Sequence, residues 1–280
     1  DIDLDGLRLA WRPGTAEASG RRWFATLPPF DGRSAVRLLL SLEVLGAVPT
    51  RWLANLDPDA ETVGTRLFYD EGADVFATAV EFEDLRVRGF QGVPTVRGVD
   101  ASVVTFEGGA RAQLDTGPFY LHFPQLFEAG WQYDGGRGRV DVRWSEAGLR
   151  VVGTGLEARG EAGRAAGAFA LDLPRSERER TFSLLLGVRD SDARYTSAYL
   201  PKGLEPGLRG WIEGAARSGR VPAGAVVVHG RIVDPAPAER SVGLYFDLEG
   251  GRLAFDPAWP PLTDVDGRLR VDHRGVRGAA

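Results

Sequence analysis

Alternation of apolar and polar residues with a period of two dominates the chain, the spacing that puts successive side chains on opposite faces of a strand. Val140, Val142 and Trp144 alternate with Arg139, Asp141 and Arg143. Phe169, Leu171 and Leu173 are interleaved with Ala168, Ala170 and Asp172, and Phe182, Leu184, Leu186 and Val188 form a third row. Val242, Leu244, Phe246 and Leu248 form a fourth, continued by Leu253 and Phe255. Gly, Pro or Asp bound most of these runs, as strand ends do. Gly-Gly pairs at 108–109, 135–136 and 250–251 are expected at hairpin turns. The glycines of Val151-Val-Gly-Thr-Gly-Leu-Glu have no helical pattern after them and read as strand bends. The expected fold class is mainly β, a long antiparallel meander with one apolar face.

Two segments break the alternation. Residues 33–56 carry Val36, Leu39, Leu40, Trp52 and Leu53 at helical spacing, with Pro49 expected to split the segment. Residues 205–217 do the same with Leu208, Trp211, Ile212, Ala215 and Ala216, and Gly219 is the expected C-terminal cap. Asp234–Glu239, with Pro and Ala alternating inside it, reads as a loop. This divides the chain into residues 1–190, a first β segment with a helical insertion near 33–56, and 191–280, a helix followed by the next β segment.

A faint internal repeat supports that division. Val93, Pro94, Val96, Val99, Asp100 and Val103 superpose on Trp259, Pro260, Leu262, Val265, Asp266 and Leu269, always 166 residues apart. Both stretches follow a predicted strand and lead into another through a Pro-containing corner, as recurring modules of one sheet would.

Composition narrows the function. The 280 residues are ample for a sizeable core, and net charge is −5 with acidic and basic residues interleaved. No basic stripe marks a nucleic-acid binder. There is no cysteine, hence no disulfide, thiolate metal site or cysteine nucleophile. Met is absent and residue 1 is Asp, so the chain reads as a fragment of something longer. No run reaches the roughly 20 apolar residues that span a bilayer.

Candidate chemistry is sparse. His122, His229 and His273 fall in separate elements, without metal-binding spacing. Asp264-Val-Asp-Gly and Asp3-Leu-Asp-Gly open like calcium loops but lack the later ligands, and both read as tight turns. Tryptophans at 11, 23, 52, 131, 144, 211 and 259 are too dispersed for a sugar platform; Trp144 and Trp211 read as packing residues. No catalytic residue, metal ligand or cofactor site is identified, and the chain is not read as an enzyme. From pattern alone, the apolar rows fit the interior of a closed sandwich as well as a ligand groove.

The C-terminal third separates these readings. Tyr199-Leu-Pro-Lys-Gly-Leu precedes a helical segment containing Gly210-Trp-Ile-Glu-Gly, then Gly230-Arg-Ile-Val-Asp, then Pro257-Ala-Trp-Pro-Pro-Leu-Thr-Asp-Val-Asp-Gly. This order resembles the YhdP family of AsmA-like proteins, most specifically over Trp259–Asp266. Phe82–Phe106, Leu121-His-Phe-Pro-Gln-Leu-Phe and the opening Leu4-Asp-Gly-Leu-Arg-Leu-Ala-Trp also fit. Asp234-Pro-Ala-Pro-Ala-Glu-Arg departs from the family's more aromatic stretch there.

The resemblance implies a curled antiparallel sheet whose apolar inner face forms a groove for phospholipid acyl chains. Val140, Val142, Trp144, Phe169, Leu171, Leu173, Phe182, Leu184, Leu186, Val242, Leu244, Phe246, Leu248, Leu253 and Phe255 are its candidate lining. It further implies the periplasmic region of an inner-membrane-anchored protein, with the anchor outside this fragment, that carries lipid between inner and outer membranes. Phospholipids are the implied partners, together with proteins of the inner and outer membranes. Two alternatives stay open: a structural or regulatory module of envelope assembly that moves no lipid, and a β-sandwich carbohydrate-active enzyme.

Overall fold

The computed structural model describes residues 6–13, 20–41, 47–204, 206–233, 239–254, 258–272 and 275–279. Its first strands are β1 (Arg8–Arg12), β2 (Arg22–Leu27) and the short β3 (Phe30–Asp31). Helices α1 (Gly32–Ser41) and α2 (Ala47–Leu56) follow, and α1 packs against the next strand. Then come β4 (Asp59–Asp70), β5 (Val75–Val87), β6 (Thr95–Phe106), β7 (Gly109–Thr116), β8 (Phe119–His122) and β9 (Trp131–Tyr133). Four long strands continue the meander: β10 (Gly135–Ser145), β11 (Gly148–Gly160), β12 (Gly163–Pro174) and β13 (Thr181–Asp192). A 3-10 segment, Ala193–Tyr199, leads to α3 (Pro206–Ala215), β14 (Ala216–Arg231), β15 (Arg240–Leu253), β16 (Leu262–Asp272) and β17 (Gly275–Ala279).

All strand pairings are antiparallel. The main line runs β1–β2–β4–β5–β6–β7–β10–β11–β12–β13–β14–β15–β16–β17. β3 extends the β4 edge, while β8 pairs with the start of β6 and carries β9. This is one open sheet, as the alternation predicts, and no second sheet closes over it among the described residues.

The repeat is structural. β5 pairs with β6 as β15 pairs with β16, in the same register 166 residues on. Phe82 faces Ala101 as Leu248 faces Gly267; Leu85 faces Val99 as Gly251 faces Val265; Val87 faces Val96 as Leu253 faces Leu262. The two bulges fall at the same places. In each copy the bulged residue has positive φ, 50° at Asp84 and 58° at Gly250. Its N–H donates to the carboxylate of the residue 16 further on, Asp100 at 3.1 Å and Asp266 at 2.8 Å. The helices also correspond: α2 and α3 each have 10 residues and precede the first strand of their copy.

Several sequence expectations need correcting. The helical segment is in two pieces, α1 and α2, which flank residues 42–46, and Pro49 sits in the first turn of α2, where a missing N–H costs nothing. Gly219 is not a helix cap. α3 passes directly into β14, and Gly219 lies inside that strand at φ 137°, abutting the Gly251 backbone at a register shift. Of the three Gly-Gly pairs only 108–109 marks a hairpin, with Gly108 at φ 65° between β6 and β7. Gly135–Gly136 begins β10, and Gly250–Gly251 forms the β15 bulge. Asp264–Gly267 is strand, not turn, because Asp266 is committed to the bulge. Gly155, at φ 57°, does bend β11 as expected. The loop 234–238, the Asp3 motif, His273 and Phe255 lie outside the described residues.

Candidate functional site

Directly opposed residues of an antiparallel ladder share a face. One row can therefore be followed across the sheet. Leu27 faces Thr65, Thr65 faces Val80, Val80 faces Val103, Val103 faces Ala112, and Ala112 faces Val140. Val140 faces Gly153, then Phe169, Leu184, Val228 and Val242 follow in turn. Every member is apolar, Gly or Thr, and ten steps at a strand spacing of about 4.8 Å give a track of about 48 Å.

Neighbouring rows match it. Val142, Val151, Leu171 and Phe182 oppose one another in sequence, as do Trp144, Leu149 and Leu173. Leu186, Val226 and Leu244 form another row, and Phe246 faces Leu269. The described candidates from Val140 to Leu186, with Val242, Leu244 and Phe246, thus stand on one face; Leu248 and Leu253 follow on β15, Leu253 beyond its bulge. The sequence reading missed Val226 and Val228, because Val227 between them is also apolar and hides the alternation. It also missed the smaller residues of the first half, such as Val103 and Ala112.

The opposite face is stitched by charge. Arg22 faces Asp70, Arg111 faces Asp141, Arg137 faces Glu157, Arg150 faces Asp172 and Asp247 faces Arg268. All five are ion pairs, from 2.6 to 3.2 Å. The Arg22 side chain holds Asp70 below the usual carboxylate range, and Arg111 does the same to Asp141. Phe24, Val104, Leu185 and Val227 are exposed apolar exceptions on this face.

The apolar face is not sealed. The accessible surface is 18105 Å² for a 30.3 kDa chain, against about 12,000 Å² for a compact monomer of that mass. Trp144, read from sequence as a packing residue, is 47% exposed. The tightest burial on this face lies on β4 and β6, at Ala60, Thr62, Thr65, Val99 and Ala101. An aromatic lip overhangs the face elsewhere. Gly136 is on the apolar side, and a Cβ there would come within 2.8 Å of the Phe119 ring. Phe119 stacks on Tyr133, and Trp131 stacks on Tyr199 at 5.1 Å while its indole N–H donates to the Ala198 carbonyl. Burial, and secondarily Tyr199, push the Tyr133 phenol well above its ordinary value.

Polar constellations are scattered. His122 Nε2 meets the Phe127 carbonyl at 3.1 Å and His229 Nδ1 meets Ser183 Oγ at 2.8 Å. Among the described residues no group of three or more His, Asp or Glu is placed to hold a metal ion. No helix among them is long and apolar enough to cross a membrane.

The model of the family described as "YhdP protein" matches residues 1–277. A curated relative, the intermembrane phospholipid transporter YhdP of Escherichia coli (strain K12), is 25% identical over 145 residues. That match covers 50% of this chain and 11% of the relative, so the chain spans only a fraction of its length. No solved structure matches.

Proposed function

The chain belongs to the YhdP family, and from that membership we propose that it is a stretch of lipid track, holding phospholipid acyl chains against its apolar face as they pass between two membranes. The observation that carries this reading is the row from Leu27 to Val242, in which every member over eleven neighbouring strands is apolar, Gly or Thr, and over which no second sheet closes among the described residues. Water against such a surface is costly, and each methylene it covers gains about 0.8 kcal/mol. Two acyl chains therefore bind without any specific polar contact. Movement along the row needs no chemical step, because each strand presents a near-equivalent apolar site to the next.

The charged face and the rims would remain in water, so headgroups stay solvated while the chains are shielded. In this reading the segment works in the periplasm, with membrane-embedded proteins of both membranes meeting a longer polypeptide at its ends. The relative's printed name, an intermembrane phospholipid transporter, supports phospholipid as the cargo. No catalytic step is assigned. The test is mass spectrometry of lipid extracted from the purified, folded chain. Phospholipid at a defined ratio supports the track, and a lipid-free protein that takes none up from vesicles contradicts it.

A further inference from the structure

The two rims of the sheet are built differently. Each of the described α-helices, and the lip of β8 and β9, connects strands at one rim. α1 and α2 lead into the start of β4, the lip lies between the end of β7 and the start of β10, and the 3-10 segment with α3 joins the end of β13 to the start of β14. At this helical rim the apolar face ends against rings, with Phe119 beside Gly136 and Tyr133 beside Gly160. The opposite rim carries hairpin turns, among them residues 71–74, 107–108 and 146–147.

Aromatic rings mark the apolar face at the hairpin rim. Trp11 faces Trp23, Trp23 faces Tyr69 and Tyr69 faces Phe76, four directly opposed rings on four neighbouring strands. Trp23, Tyr69 and Phe76 each stand four residues along a strand from Leu27, Thr65 and Val80, an even spacing that keeps them on the apolar face. Trp144 stands in the same relation to Val140. Phe76 is 54% exposed. The Trp23 indole N–H donates to the Glu71 carboxylate at 2.7 Å, and the Tyr69 hydroxyl donates to Asp74 at 3.2 Å. Both polar ends are thus turned to the 71–74 turn while the ring bodies stay on the apolar face. Rings that are apolar in body and polar at one end favour the boundary between hydrocarbon and water. A cation stands at the same rim: Leu171 faces Phe182, Phe182 faces Gly230 and Gly230 faces Arg240, so an apolar row ends in an exposed arginine.

We propose that the hairpin rim is the headgroup side of the track. Each phospholipid lies with its acyl chains along the strands, its glycerol and phosphate at the level of Tyr69, Phe76, Trp144 and Arg240, and its chain ends toward the lip. This rests on the lipid-track reading and adds an orientation to it. The width of the face fits. Phe182 to Val188 is six steps along β13, about 20 Å at a rise of about 3.3 Å per residue. The acyl layer of one leaflet is about 15 Å, half of a hydrocarbon core of about 30 Å. A guanidinium matches a phosphate in charge and in donor geometry. The reverse orientation would set a phosphate against Phe119, Trp131 and Tyr133, where desolvation is costly. Lys202, beside the lip, is already engaged by the Pro124 carbonyl at 3.0 Å and by Glu128.

Two photoreactive phosphatidylcholines test the orientation, one with a diazirine in the headgroup and one with a diazirine at the end of an acyl chain. Each is placed in phosphatidylcholine vesicles and irradiated with the 280-residue chain, and the adducts are mapped to residues by mass spectrometry. The headgroup probe is expected at Tyr69, Phe76 and Trp144 and the chain-end probe at Tyr133 and Val188, each preferring its own rim severalfold. Arg240→Gln, at an exposed position, should lower headgroup labelling near residue 240 severalfold and leave chain-end labelling unchanged, and Arg240→Lys should restore most of it. Equal labelling of the two rims by either probe, or the reversed pattern, would overturn the orientation and leave the track standing. Headgroup labelling unchanged in Arg240→Gln would overturn the role given to Arg240. Absence of adducts with both probes would overturn the track and the orientation together.

Discussion

Leu184 stands directly opposite Phe169 on the apolar face, while Leu185, one residue on, points to the other face and is 57% exposed. These adjacent leucines distinguish an open track from a sealed core. A carboxylate at 184 would face hydrocarbon whenever lipid is present, at a cost of several kcal/mol. Without lipid, water reaches it. Leu184→Asp is therefore expected to melt within a few degrees of the parent and to retain about a tenth or less of the co-purified lipid. Leu185→Asp should change neither. Thermal melting and lipid mass spectrometry on both variants check this; unfolding of Leu184→Asp would point to a sealed core.

The paired bulges give a backbone prediction. Gly250 and Asp84 occupy equivalent left-handed positions, one with the residue that suits them and one without. Gly250→Val should destabilise by about 1–2 kcal/mol, because a β-branched residue fits poorly at positive φ. Asp84→Gly should be neutral or slightly stabilising. Denaturant midpoints at unchanged slope measure both.

Tyr133 links the aromatic lip to pH. Burial keeps its phenol protonated in the folded chain above the ordinary value of 10.0. The unfolded chain ionises first, so the sign is fixed: the contribution is fully present below about pH 10 and is lost progressively as pH rises above it. Tyr133→Phe cannot ionise there and should flatten the alkaline decline in stability. Urea melts from pH 8 to pH 11 on parent and variant would detect the difference, and parallel curves would show that Tyr133 is not the group responsible.

Much of this was legible in the sequence. Val140 to Trp144 alternate cleanly because one face is stitched by Arg and Asp while the other carries none, and Phe182 to Val188 keep an apolar residue at every second position although Leu185 lies on the other face. The repeat was legible because Val99, Asp100 and Val103 keep the residue types of their counterparts at the bulge. The turn glycines were not. Gly250–Gly251 has the composition of a hairpin, and only the carboxylate of Asp266, 16 residues away, makes it a bulge. The start of β14 was hidden because α3 runs into it without a capping residue, and its faces were hidden because Val226, Val227 and Val228 are all apolar. The first half of the track escaped notice because Thr65, Val103 and Ala112 are too small or too polar to stand out. Their membership depends on register, which no local pattern encodes.

The most direct test of the track is site-specific photocrosslinking at neighbouring residues of one strand. A photoreactive side chain replaces Leu186 in one variant and Leu185 in another, and each is irradiated in the presence of phospholipid vesicles. The two positions are adjacent leucines of one strand that differ in face, with Leu185 exposed and Leu186 half-buried. Lipid adducts at 186 with few or none at 185 are the result the account predicts. Equal labelling at both positions, or labelling at 185 alone, would contradict it.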